Sequence, residues 1–178
     1  MTANICSEKN KRSLALNLSG FLLTYPQKPV FLCVGSDKVI GDLIGVIVGE
    51  LLTSKFHIPA YVYGTASHNI TAKNLNTTIK YIKANHPASP IVVVDGILGE
   101  MDEVGQVKYY PYGSIPAGEY NKGTLTGNYS ILGVVNTKGV DALTFLKSVK
   151  LKTVVTLANF IADSINLAYT YSLNLLGK

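Results

Sequence analysis

Apolar and polar positions follow two different periods along the chain, and the changes of period mark the predicted secondary structure. The run Val30–Val34 is apolar throughout and is bounded by Pro29 and Gly35, which predicts a strand buried on both faces. After a polar turn, apolar residues fall three and four positions apart, which predicts a helix over about 41–52. The stretch 29–52 is therefore a strand, a loop and a helix, the start of an α/β unit.

The same pattern continues towards the carboxyl terminus. Further strands are predicted at 60–63, 91–94, 104–110 and 130–136, and further helices at 13–24, 70–84, 139–149 and 153–175. The segment 104–110 alternates loosely, which is typical of an exposed or edge strand. Strands that alternate with helices imply right-handed crossovers, so we predict a three-layer α/β/α sandwich with a mainly parallel sheet. We expect residues 1–28 to form a tail and a helix, and residues 29–178 to form one domain.

Composition narrows the class of protein. Of the 178 residues, 47% are hydrophobic and 15% are charged, which is enough apolar material for a sizeable core. No apolar run is long enough to cross a membrane. The net charge of +5 comes from scattered basic residues, so nucleic-acid binding has no support and an acidic polypeptide partner has weak support. Cys33 lies in the buried strand and Cys6 in a polar tail, so no disulfide is expected, which fits a reducing interior.

Two aspartates follow the two strands that are predicted to be buried on both faces. Asp42 lies in the loop or first helical turn after the strand 30–34, and Asp95 comes directly after 91–94. Sites in open α/β sheets form outside the carboxyl ends of the strands, so both side chains reach one crevice if the strands are neighbours. Two such carboxylates cannot both ionise easily, and the pair can activate a water as base and acid. The alternative is structural: Asp42 would cap a helix, and Asp95 would bind loop N–H groups or cap a helix.

Other polar candidates surround these aspartates. We expect a developing oxyanion to be stabilised by Gly64, Thr65 and the backbone N–H groups near Gly96. Of the three histidines only His68 is placed near the crevice, and a surface position is the more ordinary interpretation for it. The sequence contains no nucleotide-binding, zinc or serine-hydrolase motif, so no metal and no cofactor is expected.

A long segment precedes the last predicted strand. Residues 111–127 are rich in Gly, Pro and Asn, and tyrosines recur from Tyr109 to Tyr129. A loop of this length in a compact domain is usually functional, so we predict that this loop and Tyr129 line a groove for an extended peptide. The alternative, in which the tyrosines only cover apolar surface, has equal support.

Six short segments together resemble the YyaC-type sporulation proteins. They are FLCVGSDKVIGDLIG, VYGT, VVVDGILG, VGQVKYY, IPAGEYNK and SILGVVN, within a match that runs from about Pro29 to Leu167. More distantly, that family resembles the spore germination protease and the hydrogenase-maturation endopeptidases. The resemblance therefore implies a phosphorylase/hydrolase-like α/β/α fold and a protease activity.

The resemblance also implies roles for individual residues. In the germination protease two aspartates are thought to carry peptide hydrolysis, and by motif they fall on Asp42, in GDLIG, and Asp95, in VVVDG. The maturation endopeptidases place an acid at each of these points and add a histidine, and together these groups bind a nickel ion. The matching segment here, residues 127–130, is GNYS and has no histidine.

The function implied is peptide hydrolysis in a spore protein, in the cytoplasm of the sporulating cell or forespore, through Asp42 and Asp95. A protein or peptide substrate is the expected partner, neither a membrane nor nucleic acid is expected, and a homo-oligomer is left open. The alternative is a catalytically inactive binding or scaffold module of the same fold, favoured by the missing histidine and the lack of another nucleophile. A small-molecule or metal-binding sensor is a third hypothesis.

Overall fold

Five strands and five α-helices form in the part of the chain that the computed structural model describes, residues 7–111, 127–139 and 141–175. The strands are β1 (Val30–Cys33), β2 (Tyr61–Tyr63), β3 (Ile91–Gly99), β4 (Val107–Pro111) and β5 (Tyr129–Thr137). The helices are α1 (Glu8–Leu23), α2 (Ile44–Glu50), α3 (Leu75–Asn85), α4 (Ala142–Lys147) and α5 (Leu151–Leu175). There are also two 3-10 turns, Ile40–Asp42 and Met101–Glu103, and a π-helical turn, Leu51–Lys55.

The five strands form one sheet in the order β2-β1-β3-β5-β4. β1, β2, β3 and β5 run parallel, whereas β4 is antiparallel to β5 and lies at the edge. The register aligns Leu32 with Val93, and Asp95 with Leu132. The mainly parallel sheet predicted from the sequence is confirmed, and the loosely alternating segment around Val107 does form an edge strand.

Helices cover both faces of the sheet, so the prediction of three layers is confirmed. On one face lie α1, α2 and α5, which pack on alternate strand side chains, among them Phe31, Cys33, Val92, Val94 and Ile131. On the other face lies α3, in a core made of Val30, Leu32, Val34, Ile70, Leu75, Ile79, Ile82, Ile91 and Val93. Because successive side chains of a strand point to opposite faces, both cores need apolar residues at every position of β1 and of the first half of β3.

Helix α2 lies very close to β1 because glycines face the strand. A Cβ atom on Gly45 would overlap the carbonyl oxygen of Val34, and one on Gly49 would overlap the carbonyl oxygen of Gly64. A close-packed interior has no room for a side chain in these gaps. The glycines therefore let the helix approach the carboxyl end of β1, and this fixes the turn that precedes the helix.

The starts of α1 and α3 differ most from their predicted positions. α1 begins at Glu8 and not at 13, because the Ser7 hydroxyl accepts a hydrogen bond from a backbone N–H of the first turn and caps the helix. α3 begins at Leu75 and not at Ile70, because Ile70 forms a parallel bridge with Val34 beside β1. The apolar period alone predicts neither cause, the side-chain cap of α1 or the strand bridge at Ile70.

Within the described residues, no helix combines the length and the apolar character that a membrane span needs. Cys33 is a free, buried thiol, and burial raises its pKa to about 12. The predictions that concern Cys6 and most of the loop 111–127 lie outside the described residues.

Candidate active site

Asp42 ends the 3-10 turn between β1 and α2. The Ser36 N–H donates to the Asp42 carbonyl oxygen at 2.9 Å, which closes the loop after β1. No side chain caps α2, whose cap position is Leu43, so Asp42 does not have the capping role that was its alternative. The Asp42 side chain is half-buried, and this burial raises its pKa to about 6, although the nearby Ser36 N–H acts in the opposite direction. A carboxylate with this pKa is ionised at neutral pH and can still accept a proton.

Asp95 lies inside β3. The prediction that the strand ends at Val94 was wrong, because pairing with β5 continues the strand to Gly99. The Asp95 side chain is 2% exposed, and its Oδ1 accepts a hydrogen bond from the Gly96 N–H at 2.7 Å. The alternation along β3 directs Asp95 to the face of the sheet that carries α3, whereas Gly96 turns to the face that carries α2.

The backbone segments that carry the two aspartates are in contact. A Cβ atom on Gly96 would lie only 2.7 Å from the Gly41 carbonyl oxygen, so the residues next to Asp42 and Asp95 pack against each other. β1 and β3 are neighbouring strands. The two strands are therefore adjacent, as a shared crevice requires, but the Gly41–Gly96 contact lies on the face of the sheet opposite to the one that the Asp95 side chain points to. The raised pKa of Asp42 has burial as its cause, and not the charge of a second carboxylate.

The loop after β1 and the loop after β2 are tied together at this edge of the sheet. The Gly35 N–H donates to the Ile70 carbonyl oxygen at 2.8 Å. The Asn69 Nδ2 donates to Asp37 Oδ1 at 2.7 Å. Because Asp42 is bonded to the first of these loops, the two loops together form one wall beside it.

Gly64, Thr65 and His68 belong to the loop after β2, at the same edge of the sheet as Asp42. Gly64 has a φ of 98° and lies against the Cys33 carbonyl group, where a side chain would collide. Thr65 and His68 each donate a backbone hydrogen bond to the other's carbonyl oxygen at 3.2 Å, and the His68 side chain is exposed.

Two of the backbone donors that were predicted for an oxyanion, those of Thr65 and Gly96, already have acceptors. The Thr65 N–H donates to His68, and the Gly96 N–H donates to Asp95. The Gly96 N–H therefore orients the Asp95 carboxyl group in this structure, and an oxyanion would have to displace these bonds to use either donor.

Tyr129 does not belong to this edge of the sheet. It begins β5 at the amino end of the strand and is fully buried. Its hydroxyl donates to Asn17 Oδ1 at 2.9 Å, and its ring packs on Phe21 with the centroids 5.0 Å apart, both in α1. Sites of this fold class lie at the carboxyl ends of the strands. The structure therefore gives Tyr129 a packing role and does not bring it to the candidate site.

Three residues beside the site were missed by the sequence analysis. They are Asp37 and Asn69, which join the two loops, and Glu50, whose Oε1 accepts from the Ala66 N–H at 3.0 Å and holds the second loop on α2. The bonded residues are 16 and 32 positions apart in the chain. No short-range pattern could have indicated them, because each pairing depends on how β1, β2 and α2 pack.

The side chains of the segment 127–130, which the sequence resemblance matches to the histidine segment of the maturation endopeptidases, are engaged in packing and hydrogen bonds. In the segment 127–130, Asn128 Oδ1 accepts from the Ile91 N–H at 2.9 Å and Tyr129 is engaged by α1. Over the described ranges, no group of three or more His, Cys, Asp or Glu side chains is placed to hold a metal ion.

The fold defines a class of protein, an α/β/α sandwich in which Asp42 follows one parallel strand, β1, and Asp95 lies in the neighbouring parallel strand, β3. The chain belongs to the family described as "Protein of unknown function (DUF1256)", which matches residues 2–164. It is 31% identical over 155 residues to "Uncharacterized protein YyaC" of Bacillus subtilis (strain 168), a match that covers 84% of this chain and 74% of YyaC. The family predicted from the sequence motifs is thereby confirmed.

Two solved structures with a similar arrangement are NiFe hydrogenase maturation proteases of Thermococcus kodakarensis. HycI, from strain KOD1, is 20% identical with a TM-score of 0.47, and the match covers 84% of this chain and 98% of HycI. HybD is 16% identical with a TM-score of 0.43, and the match covers 82% of this chain and 99% of HybD.

Proposed function

We propose that the protein is a peptidase that hydrolyses a peptide bond with Asp42 and Asp95 as its catalytic pair. The observation that carries the proposal is the contact between Gly41 and Gly96, because it sets the two aspartates on adjoining segments at the edge where sites of this fold form. The raised pKa of Asp42 supports its role as the base, since perturbed carboxyl groups in crevices are typical of catalytic acids and bases.

In the proposed reaction Asp42 takes a proton from a water while the water oxygen attacks the carbonyl carbon of the substrate. Asp95, in its protonated form, gives a proton to the amine as the C–N bond breaks. The Gly96 N–H, bonded to Asp95 Oδ1, keeps that carboxyl group in one orientation. Proton transfer from the new carboxylic acid to solvent, and from Asp42 to Asp95 through water, restores both groups.

The proposed setting is the cytoplasm of a sporulating cell or forespore, and the proposed substrate is a spore protein. The support is the set of motifs between Pro29 and Leu167 that is similar to the YyaC-type sporulation proteins. The net charge of +5 adds weak support for a substrate with an acidic stretch.

The test is incubation of the pure protein with an extract of spore proteins, followed by mass spectrometry of the products. We expect cleavage by the wild type and loss of about 100-fold or more in rate for Asp42→Asn and for Asp95→Asn. Asp102→Asn is the matched control, because Asp102 is exposed and lies on the turn after β3. The rate should rise with pH through about 6, where Asp42 loses its proton. Equal cleavage by all four proteins, or none by the wild type, removes the proposal.

A second function, that of a binding module without catalysis, is favoured by the burial of Asp95, which is 2% exposed. A catalytic acid must reach the substrate, whereas a buried structural aspartate only has to keep its hydrogen bond. A spore protein that the wild type captures without cleaving, and that Asp42→Asn captures equally well, supports this module. Loss of capture on Asp42→Asn would instead support a role of Asp42 in binding the spore protein.

A further inference from the structure

Asn69 presents a buried acceptor at the same edge of the sheet. Its Oδ1 is buried and has no hydrogen-bond partner among the residues that the structure describes. Its Nδ2 donates to Asp37 Oδ1 at 2.7 Å, and its backbone carbonyl oxygen accepts from Asn74 Nδ2 at 2.9 Å. The residue is thus held from two sides while one polar atom has no donor.

The orientation of this amide is fixed by Asp37. A carboxylate offers only acceptor oxygens, so it must face the amino group of Asn69. The reverse orientation would set two oxygen atoms 2.7 Å apart with no hydrogen between them. The side-chain atom of Asn69 that points away from Asp37 is therefore the amide oxygen, which is an acceptor. Burying an acceptor without a donor costs stability, and in folded proteins such a group calls for an explanation, such as a bound water or a ligand that supplies the donor.

The position of Asn69 relates it to the aspartate pair. Ile70, the next residue, bridges Val34, and the Val34 N–H donates to the carbonyl oxygen of Val94, the residue before Asp95. Neighbouring strands lie about 4.8 Å apart, so Asn69 and Asp95 are separated by roughly 10 Å across the sheet. An extended peptide rises about 3.3 Å per residue and covers this span in about three residues.

We propose that Asn69 binds the main chain of the substrate: its Oδ1 accepts an N–H of an extended peptide about three residues from the bond cleaved between Asp42 and Asp95. Asp37 acts through Asn69 as a positioning residue. A main-chain N–H is present at nearly every residue of a peptide, so the contact contributes affinity without selecting a side chain. This inference takes its ligand, an extended peptide, from the proposed function.

The test measures binding apart from cleavage. The probe is fluorescein-labelled β-casein, a disordered polypeptide, and its Kd is measured by fluorescence anisotropy with Asp42→Asn, so that the proposed base is absent and the probe stays intact. Adding Asn69→Ala should raise the Kd by about 5- to 30-fold, the loss of one buried hydrogen bond. Adding Asn76→Ala, an exposed asparagine on α3, should leave the Kd unchanged. Asn69→Ser, which keeps an oxygen acceptor, should give an intermediate Kd.

Urea unfolding of the same variants shows whether the fold is kept. A Kd that stays the same on Asn69→Ala, or the absence of casein binding by every variant, overturns the inference. If Asn69→Ala does not fold, Asn69→Ser is measured in its place. A Kd of Asn69→Ser equal to that of the Asp42→Asn protein alone then overturns the inference. Failure of the proposed function gives a different result: wild type and Asp42→Asn then cleave spore proteins equally, while the effect of Asn69→Ala on casein binding persists.

Discussion

The charge of Asp42 is predicted to destabilise the folded protein. Burial raises the pKa of Asp42 from its ordinary value of 3.8 to about 6 in the folded state, while the unfolded chain keeps the ordinary value. Between these two values the folded state binds the proton more strongly than the unfolded state does. The stabilisation from the protonated group is therefore fully present below about pH 4 and is lost as the pH rises through about 6.

The magnitude follows from the two pKa values. They differ by about two units (6 − 3.8 = 2.2), which corresponds to roughly 3 kcal/mol for a fully shielded group. Asp42 is only half-buried, so solvent screening reduces the expected effect to about 1–2 kcal/mol. Asparagine has nearly the same shape and no charge. Asp42→Asn should therefore raise the free energy of unfolding by about 1–2 kcal/mol at neutral pH and by roughly a third of that near pH 4.5, where the carboxyl group of the unfolded chain is already largely ionised.

The assay is urea unfolding of the wild type and Asp42→Asn at about pH 4.5 and 7.5, monitored by circular dichroism. Asp102→Asn is the control, because it removes one negative charge from an exposed position of a protein whose net charge is already +5. The change in free energy of unfolding on Asp102→Asn measures the long-range effect of removing one negative charge. This change is subtracted from the change measured for Asp42→Asn. The reasoning is refuted if the corrected difference is the same at both pH values, or if Asp42→Asn is the less stable protein at pH 7.5.

Three further predictions concern packing. Gly45→Ala should destabilise the protein by about 2 kcal/mol or more in urea unfolding, because its Cβ would overlap the Val34 carbonyl oxygen. The control, Gly20→Ala in an open part of α1, should stabilise the protein by about 0.5–1 kcal/mol. Equal effects of the two substitutions would contradict this prediction. In a Cys6→Ser variant, the Cys33 thiol should react with Ellman's reagent only after unfolding, and rapid reaction of the folded variant would show that the strand is not buried. Tyr129→Phe should cost about 1 kcal/mol through its lost hydrogen bond to α1 and leave cleavage unchanged; a fall in cleavage at constant stability would return Tyr129 to the site.

The fold could be predicted because its strands carry a strong signal. β1 and the first part of β3 are covered on both faces, so every position is apolar and the runs stand out in the sequence. The end of β3 was misplaced because Asp95 and Gly96 are typical of a turn. Pairing with β5 extends the strand through them, and this pairing depends on residues far along the chain.

The two aspartates of the candidate site were chosen from the sequence alone, whereas the electrostatics of the site and the loops beside it could not be predicted. The position of Asp42 just past β1 follows from the α/β pattern, whereas Asp95 lies inside β3 and not at its end. The sequence suggested that repulsion between two carboxylates would raise a pKa, whereas burial raises the pKa of Asp42. The bond between Asp37 and Asn69 joins residues 32 positions apart, and neither residue belongs to a local motif.

The burial of Asp42 has its origin in the glycines around it. Gly45 lets α2 approach β1, and Gly96 lets the turn that carries Asp42 rest on β3 with the Gly41 carbonyl oxygen in contact. With larger residues at these points the turn would have to move outward and the carboxyl group would gain solvent, which would return its pKa towards 3.8. The same contacts thus place Asp42 beside the segment of Asp95 and shift its pKa towards neutrality. In the proposed peptidase, position and basicity of the catalytic group are therefore one consequence of glycine packing and need no separate charged neighbour.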